Sequence, residues 1–150
     1  MTITMEPIGH VRNGVTQRKD DGWGKDVSAI VLLERYVPGL AGLEDFSHAI
    51  IVLHLNQARF EAARHLTRRP QNRTDMPEVG IFSQRGKDRP NRIATTAVEV
   101  VSVREGELLV RGLDAIDGTP VLDIKPYFPA YDRRDATTPA WVDRLMEHYF

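Results

Sequence analysis

Three carboxylates and one ammonium crowd into a single stretch, Arg111 to Tyr127, which reads RGLDAIDGTPVLDIKPY. A carboxylate within hydrogen-bond reach of a reacting group can accept its proton. Asp117-Gly118 marks a tight turn and Pro120 stiffens its exit, so the plain reading of this stretch is a hairpin in which Asp117 caps its own turn. Asp123 stands between Leu122 and Ile124, and period-two alternation puts it on the opposite face from both. With Leu122 and Ile124 in a core, Asp123 faces solvent or a cleft.

Other residues capable of chemistry are spread along the chain. Arg85 lies in FSQRG, and a guanidinium fork is the natural partner of a carboxylate. Asn56 and Gln57 end an apolar run, either as a polar strand terminus or as a pair of amides aimed at a ligand. Trp23 stands between two glycines, as a lid over the core or as a wall for a flat ligand such as adenine. From Arg59 to Arg92 there are nine Lys/Arg against four Asp/Glu. That surplus fits a solvated surface or a patch for phosphates, with Arg68 and Arg69 as phosphate-facing candidates. The five histidines, at 10, 48, 54, 65 and 148, are scattered. On one strand His48 and His54 would lie about 20 Å apart. With no HxH, no HExxH and no cysteine, a metal site is not expected. Serines 28, 47, 83 and 102 sit in no nucleophile-elbow context, which argues against a hydrolytic triad.

The elements that must position these groups are mostly short strands. Alternation and β-branched runs predict strands within Met1–Val11, over Val27–Tyr36, through the apolar Phe46–Leu55, and in the VLDI run that stops at Pro126. Ile93–Val103 and Glu107–Leu113 read as a hairpin about Glu105-Gly106. Arg12–Lys25 is a polar, Gly-rich loop. Helical spacing predicts a short helix over Gln57–Arg69, and Thr138-Pro139 opens another over Ala140–Phe150. Many short strands between Gly/Pro turns indicate an all-β barrel or sandwich. No GxGxxG follows a strand, so nothing points to a doubly wound nucleotide-binding sheet.

With 150 residues, 41% of them apolar and 27% charged, the chain suits one domain with a real core. A formal charge of −1 argues against a basic coat for non-specific nucleic-acid binding but allows a local patch. The absence of cysteine fits a reducing, cytoplasmic setting, and the N-terminus has no basic or apolar region of a signal peptide. No apolar run is long enough for a membrane span.

The words GLDAIDGTPVLDIKPY, FSQRGKDRPNRI at 82–93 and LEDFSHAIIVLHLNQ at 43–57 together resemble the TsaA-like (TrmO, YaeB) family, in the family's order, from about Ile8 to Asp132. The resemblance implies a TsaA-like β-barrel over residues 1–132, with 133–150 a tail bearing a short helix in the same domain. It implies S-adenosylmethionine as cofactor, tRNA as partner, a homodimer, and N6-methylation of threonylcarbamoyl-adenosine. Carried over residue by residue, the cofactor-binding set is Asp21, Gly22, Trp23, Asn56, Gln57, Arg85, Arg89, Thr95, Arg111, Gly112, Leu113 and Asp114. Asp123 or Asp117 would accept the N6 proton or stabilise the sulfonium. Gln57 matches a family His-Gln, with Asn56 replacing the histidine. The family's R-P-N-P-I-G reads here R-P-N-R-I-A, so Arg92 and Ala94 depart from it. Longer relatives add a C-terminal domain that residues 133–150 are too few to form. A non-catalytic binding module, or a methyltransferase for another small substrate, stands beside the tRNA enzyme.

Overall fold

A computed structural model describes all 150 residues. In chain order the elements are β1 (Gly9–Arg12), β2 (Val27–Leu32), β3 (His48–His54), α1 (Ala62–His65), β4 (Thr67–Arg68), β5 (Val79–Gly80), β6 (Ile93–Arg104), β7 (Glu107–Arg111), β8 (Pro120–Pro126), α2 (Pro129–Asp132) and α3 (Ala140–Met146). Six strands close into an antiparallel barrel in the order β1-β2-β7-β6-β3-β8, and β4 and β5 form a separate ribbon. The expected all-β barrel is thus the observed fold. Closure gives each barrel strand a neighbour on both sides.

Period-two alternation builds the core. Ala49, Ile51 and Leu53 of β3, Thr96 and Val98 of β6, Leu108 and Val110 of β7, and Val121 of β8 all point inward and are buried. Burying each Val, Leu or Ile contributes about 1.5–3 kcal/mol. Leu40 and Leu43, from 3-10 turns after β2, cover one end of the barrel interior. No helix is long and apolar enough to cross a membrane.

Five local expectations are corrected. The first strand is only Gly9–Arg12, and β2 stops at Leu32 where a 3-10 turn begins. The helix expected over Gln57–Arg69 shrinks to the four residues of α1, because the chain then extends to pair Thr67 with Gly80 and Arg68 with Val79. The stretch around Asp117 is not a hairpin. β7 pairs with β2 and β6, whereas β8 pairs with β1 and β3, so residues 112–119 cross an end of the barrel. Finally, alternation breaks at Leu122. Val52 faces Asp123 but Leu53 faces Val121, so Leu122 is the extra residue of a β-bulge. Beyond the bulge Ile124 packs against the core, and Asp123 takes the outer face opposite Val52.

The register gathers the loops. Arg12, Val27, His54, Ile93, Arg111 and Pro120 all lie at the same end of the barrel. The loops 13–26, 55–61, 81–92 and 112–119 therefore meet around one mouth. Arg111 pairs with Glu99, so residues 93–98 of β6 project past the end of β7 as a lip.

Candidate active site at one barrel mouth

Gly112 ends β7 in the left-handed region, φ 86°, where a side chain is strained. Its N–H donates to the Asp26 carbonyl at 3.0 Å. This bend sends Leu113 into the core, fully buried, and swings Asp114 over the mouth. One Asp114 carboxylate oxygen accepts the Thr96 hydroxyl of the lip, and the other accepts the Tyr149 hydroxyl at 2.5 Å. Burial and the adjacent Asp114 charge push the Tyr149 phenol well above its ordinary range.

Tyr149 arrives with the segment that follows α3. The N–H groups of Gly22 and Trp23 donate to the carbonyls of His148 and Tyr149 at 2.9 and 2.8 Å. Trp23 is 3% exposed, with the Lys19 ammonium 4.5 Å above its ring. The ring is buried yet stands apart from the barrel's core cluster. Phe150 lies against Gly24, where a Cβ would come within 2.5 Å of the Phe150 carbonyl carbon.

On the outer side of the lip, Arg85 donates to the Thr95 carbonyl at 2.5 Å and reaches the Thr95 hydroxyl at 3.3 Å. Thr95, Val52 and Asp123 stand opposite one another on β6, β3 and β8 with their side chains outward. Two strand spacings, about 10 Å, separate Thr95 from Asp123. One Asp123 oxygen accepts its neighbour's N–H from Ile124 at 2.9 Å. The other pairs with Lys125 at 2.6 Å, and that carboxylate raises the lysine's pKa.

Asn56 and Gln57 are exposed just past β3. Their loop is tied down by backbone: Leu55 N–H donates to the Arg92 carbonyl, and the Arg92 guanidinium reaches the Ala58 carbonyl at 3.1 Å. The Arg18 guanidinium donates to the Gln57 carbonyl. Asn91 and Arg92 hold left-handed φ values of 61° and 52°, whereas Ala94 is ordinary strand opposite Leu53. The Ala94 departure therefore needs no glycine. Arg89 donates to the Gln84 carbonyl at 2.9 Å and braces the Arg85 loop.

The fold thus brings together Gly22, Trp23, Thr95, Arg85 and Gly112–Asp114, with Asp21, Asn56, Gln57 and Arg89 on adjoining loops. It does not bring in the Arg111 side chain, which pairs across strands with Glu99 at 2.8 Å. Asp117 is likewise spent. Its carboxylate accepts the N–H groups of Asn13 and Gly14 at 2.8 and 3.2 Å, which hold its pKa below the usual carboxylate range. It clamps the neighbouring loop rather than its own turn. Of the two candidate phosphate contacts, Arg68 pairs with Asp88 in a covered position, whereas Arg69 is exposed with one N–H on the Met76 carbonyl. Three groups at the mouth carry no sequence signal of their own: Arg18, Thr96 and Tyr149.

Residues 16–133 match the family described as the tRNA-methyltransferase O N-terminal domain. A probable S-adenosyl-L-methionine-binding protein of Pyrococcus abyssi is 32% identical over 149 residues, covering 96% of this chain and 78% of that protein. The tRNA (adenine(37)-N6)-methyltransferase of Mus musculus is 41% identical over 98 residues, covering 62% of this chain and 21% of that protein. The crystal structure of TrmO from Pseudomonas aeruginosa superposes with a TM-score of 0.76 at 29% identity, covering 94% of this chain and 62% of that one.

Proposed function

The chain belongs to the tRNA-methyltransferase O family and is an S-adenosylmethionine-dependent methyltransferase of it, and from that premise we propose that it methylates N6 of threonylcarbamoyl-adenosine at position 37 of tRNA. The observation that carries this reading is the convergence of Arg85, Thr95, Asn56, Gln57 and the Gly112–Asp114 bend on one barrel mouth.

The donor set suits the cofactor's chemistry. Arg85 has N–H groups left to offer a carboxylate, and the exposed amides of Asn56 and Gln57 can bond an adenine or ribose edge. Asp21 adds an exposed carboxylate and Arg89 braces the loop that carries Arg85. When bound, the cofactor supplies an electrophilic methyl group. The protein's task is then to align the nucleophile and exclude water. In this reading buried Trp23 and the bend at Gly112 keep water from the mouth. An amide-like N6–H is a weak nucleophile, and a carboxylate that takes its proton assists. Asp123 fits that role better than Asp117 by placement, since it faces outward in line with Thr95, whereas Asp117 is turned to the backbone of Asn13 and Gly14.

Incubation with labelled cofactor and unfractionated tRNA, then nucleoside analysis, tests the reading. Label in N6-methylated threonylcarbamoyl-adenosine is expected; label in another nucleoside, or none, defeats it. Arg85→Ala is expected to lose a charge-assisted pair and one to two decades of cofactor affinity, roughly 1.5–3 kcal/mol, by calorimetry. Unchanged affinity removes Arg85 from the site.

A second reading, a cofactor-binding module without transfer, is favoured by one observation: the tail occupies the N–H groups of Gly22 and Trp23. Cofactor retention without RNA methylation would select it. We also propose a cytoplasmic homodimer. Phe82, 80% exposed beside Arg85, offers apolar surface for such an interface, and light scattering that finds a monomer refutes it.

A further inference from the structure

Beside Gln57 the surface opens into a cavity of about 240 Å³ lined by polar residues alone. Arg18, Arg59, Arg64 and His65 line it together with two acids, Glu61 and Asp88. The acids are already engaged. Asp88 accepts the Arg59 backbone N–H at 3.1 Å, Lys87 at 2.7 Å and Arg68 at 3.4 Å. Glu61 sits 3.7 Å from Arg64. His65 accepts the Glu61 backbone N–H on Nδ1 at 2.8 Å, so its neutral ring carries the proton on Nε2 and presents a donor. Arg18 spends one N–H on the Gln57 carbonyl and keeps the rest. The Arg59 side chain is exposed, and its guanidinium has no hydrogen-bond partner in the chain. The cavity therefore offers N–H donors from several directions, while the Asp88 oxygens are taken and the Glu61 carboxylate lies nearest Arg64. Such a lining fits a tetrahedral oxyanion rather than a base or an apolar group.

Its place in the fold narrows the choice. Arg18 belongs to the loop that leads into Gly22-Trp23, and Gln57 to the loop that leaves β3, so the cavity adjoins the mouth. A nucleotide whose base sits in the mouth would have its neighbouring backbone at this point. We propose that the cavity seats a phosphodiester of the RNA strand next to the nucleotide being modified. The proposal rests on the reading of the chain as a tRNA enzyme. It places a phosphate contact of the basic segment at Arg59 and Arg64, with Arg18 beside them, rather than at Arg68, which is covered and paired with Asp88.

The test is a double variant, Arg59→Gln with Arg64→Gln. Both side chains are exposed, so the fold should survive. Binding of unfractionated tRNA is measured against salt concentration, and S-adenosylmethionine binding by calorimetry. Neutralising Arg133 and Arg134, exposed beyond the opposite end of the barrel, controls for lost charge alone. The expected result is about tenfold weaker tRNA binding near 0.1 M salt and a log–log salt slope shallower by about one, with cofactor affinity unchanged. Equal losses in the Arg133/Arg134 control, or unaltered tRNA affinity and slope in a chain that binds and methylates tRNA, overturn the proposal. A drop in cofactor affinity also overturns it, by assigning the cavity to the cofactor's carboxylate. A wild-type chain that neither binds nor methylates tRNA removes the underlying reading, and this site with it.

Discussion

Asp114 is shared between two hydroxyls, one from the lip of β6 and one from the far end of the chain, and each partner gives a separate handle on the site. Tyr149→Phe removes the second bond. At neutral pH the variant should be less stable by about 1.5 kcal/mol, the lower end for a hydrogen bond to a carboxylate. The pH dependence is more diagnostic. The Tyr149 phenol is raised in the folded chain, so folding favours its neutral form. The stability this contributes is complete below the unfolded phenol's pKa of about 10 and is lost as pH rises above it. Denaturation midpoints from pH 8 to 11 should fall more steeply for the wild type than for the variant; parallel curves would refute the assignment. Asp117 gives the opposite sign. Its pKa is depressed by the N–H groups of Asn13 and Gly14, so its contribution is present above about pH 3.9 and lost as pH falls through the lower folded value. Asp117→Asn should therefore flatten the acid limb of a stability profile and leave the alkaline limb alone, as thermal melts between pH 5 and 2 would reveal. The outward direction of Asp123 was legible in the sequence, because alternation depends only on neighbours. The partners of Asp117 and Tyr149 were not, since bonds across 104 and 35 residues leave no periodic trace.

At the level of elements, the strands announced themselves and the helix after β3 did not. Phe60, Ala63 and Leu66 carry helical spacing, but Glu61 is extended, and after one turn the chain is drawn into the β4–β5 pairing and the cluster about Asp88. Tertiary pairing overrides a weak local preference there. The bulge at Leu122 was equally hidden, because a one-residue insertion is visible only once the partner strand is known. The tail is the element most open to experiment. Gly24→Ala places a Cβ within 2.5 Å of the Phe150 carbonyl carbon, which is backbone and cannot rotate away. The His148–Phe150 segment must lift, exposing Trp23. In a Trp141→Phe background, the remaining tryptophan emission should shift to the red relative to the unsubstituted tail. An unshifted spectrum would mean that Trp23 is shielded by Lys19 and its own loop alone.

For the molecule as a whole, composition and turn spacing identified the fold class, while the order of strands around the barrel came only with the structure. A β7–β8 hairpin was the economical reading of RGLDAIDGTPVLDIKPY, yet those strands are held apart by β2 and β1 on one side and by β6 and β3 on the other. The same arrangement explains how the family's separated motifs serve one site: each precedes or follows a strand end at the same mouth.

The join between β1 and β8 has a kinetic consequence. It pairs only Gly9 with Val121 and His10 with Pro120, and the proline has no N–H to give. Flanking bonds from Ile8 to Val121, Val11 to Thr119 and Gly118 to Val11 complete it. The two strands lie about 110 residues apart in sequence, so closing them carries a large loop entropy. Such a contact forms late in folding and opens first in the native state. In amide hydrogen exchange at low denaturant, the Ile8, Val11 and Gly118 amides should exchange ahead of Ile51 and Val98 in the long β3–β6 ladder, with no global unfolding. Simultaneous exchange of both groups would show a barrel that opens only as a unit. If the seam leads, the slowest step in making the barrel and the easiest step in loosening it are the same event, beside the loop that Asp117 clamps.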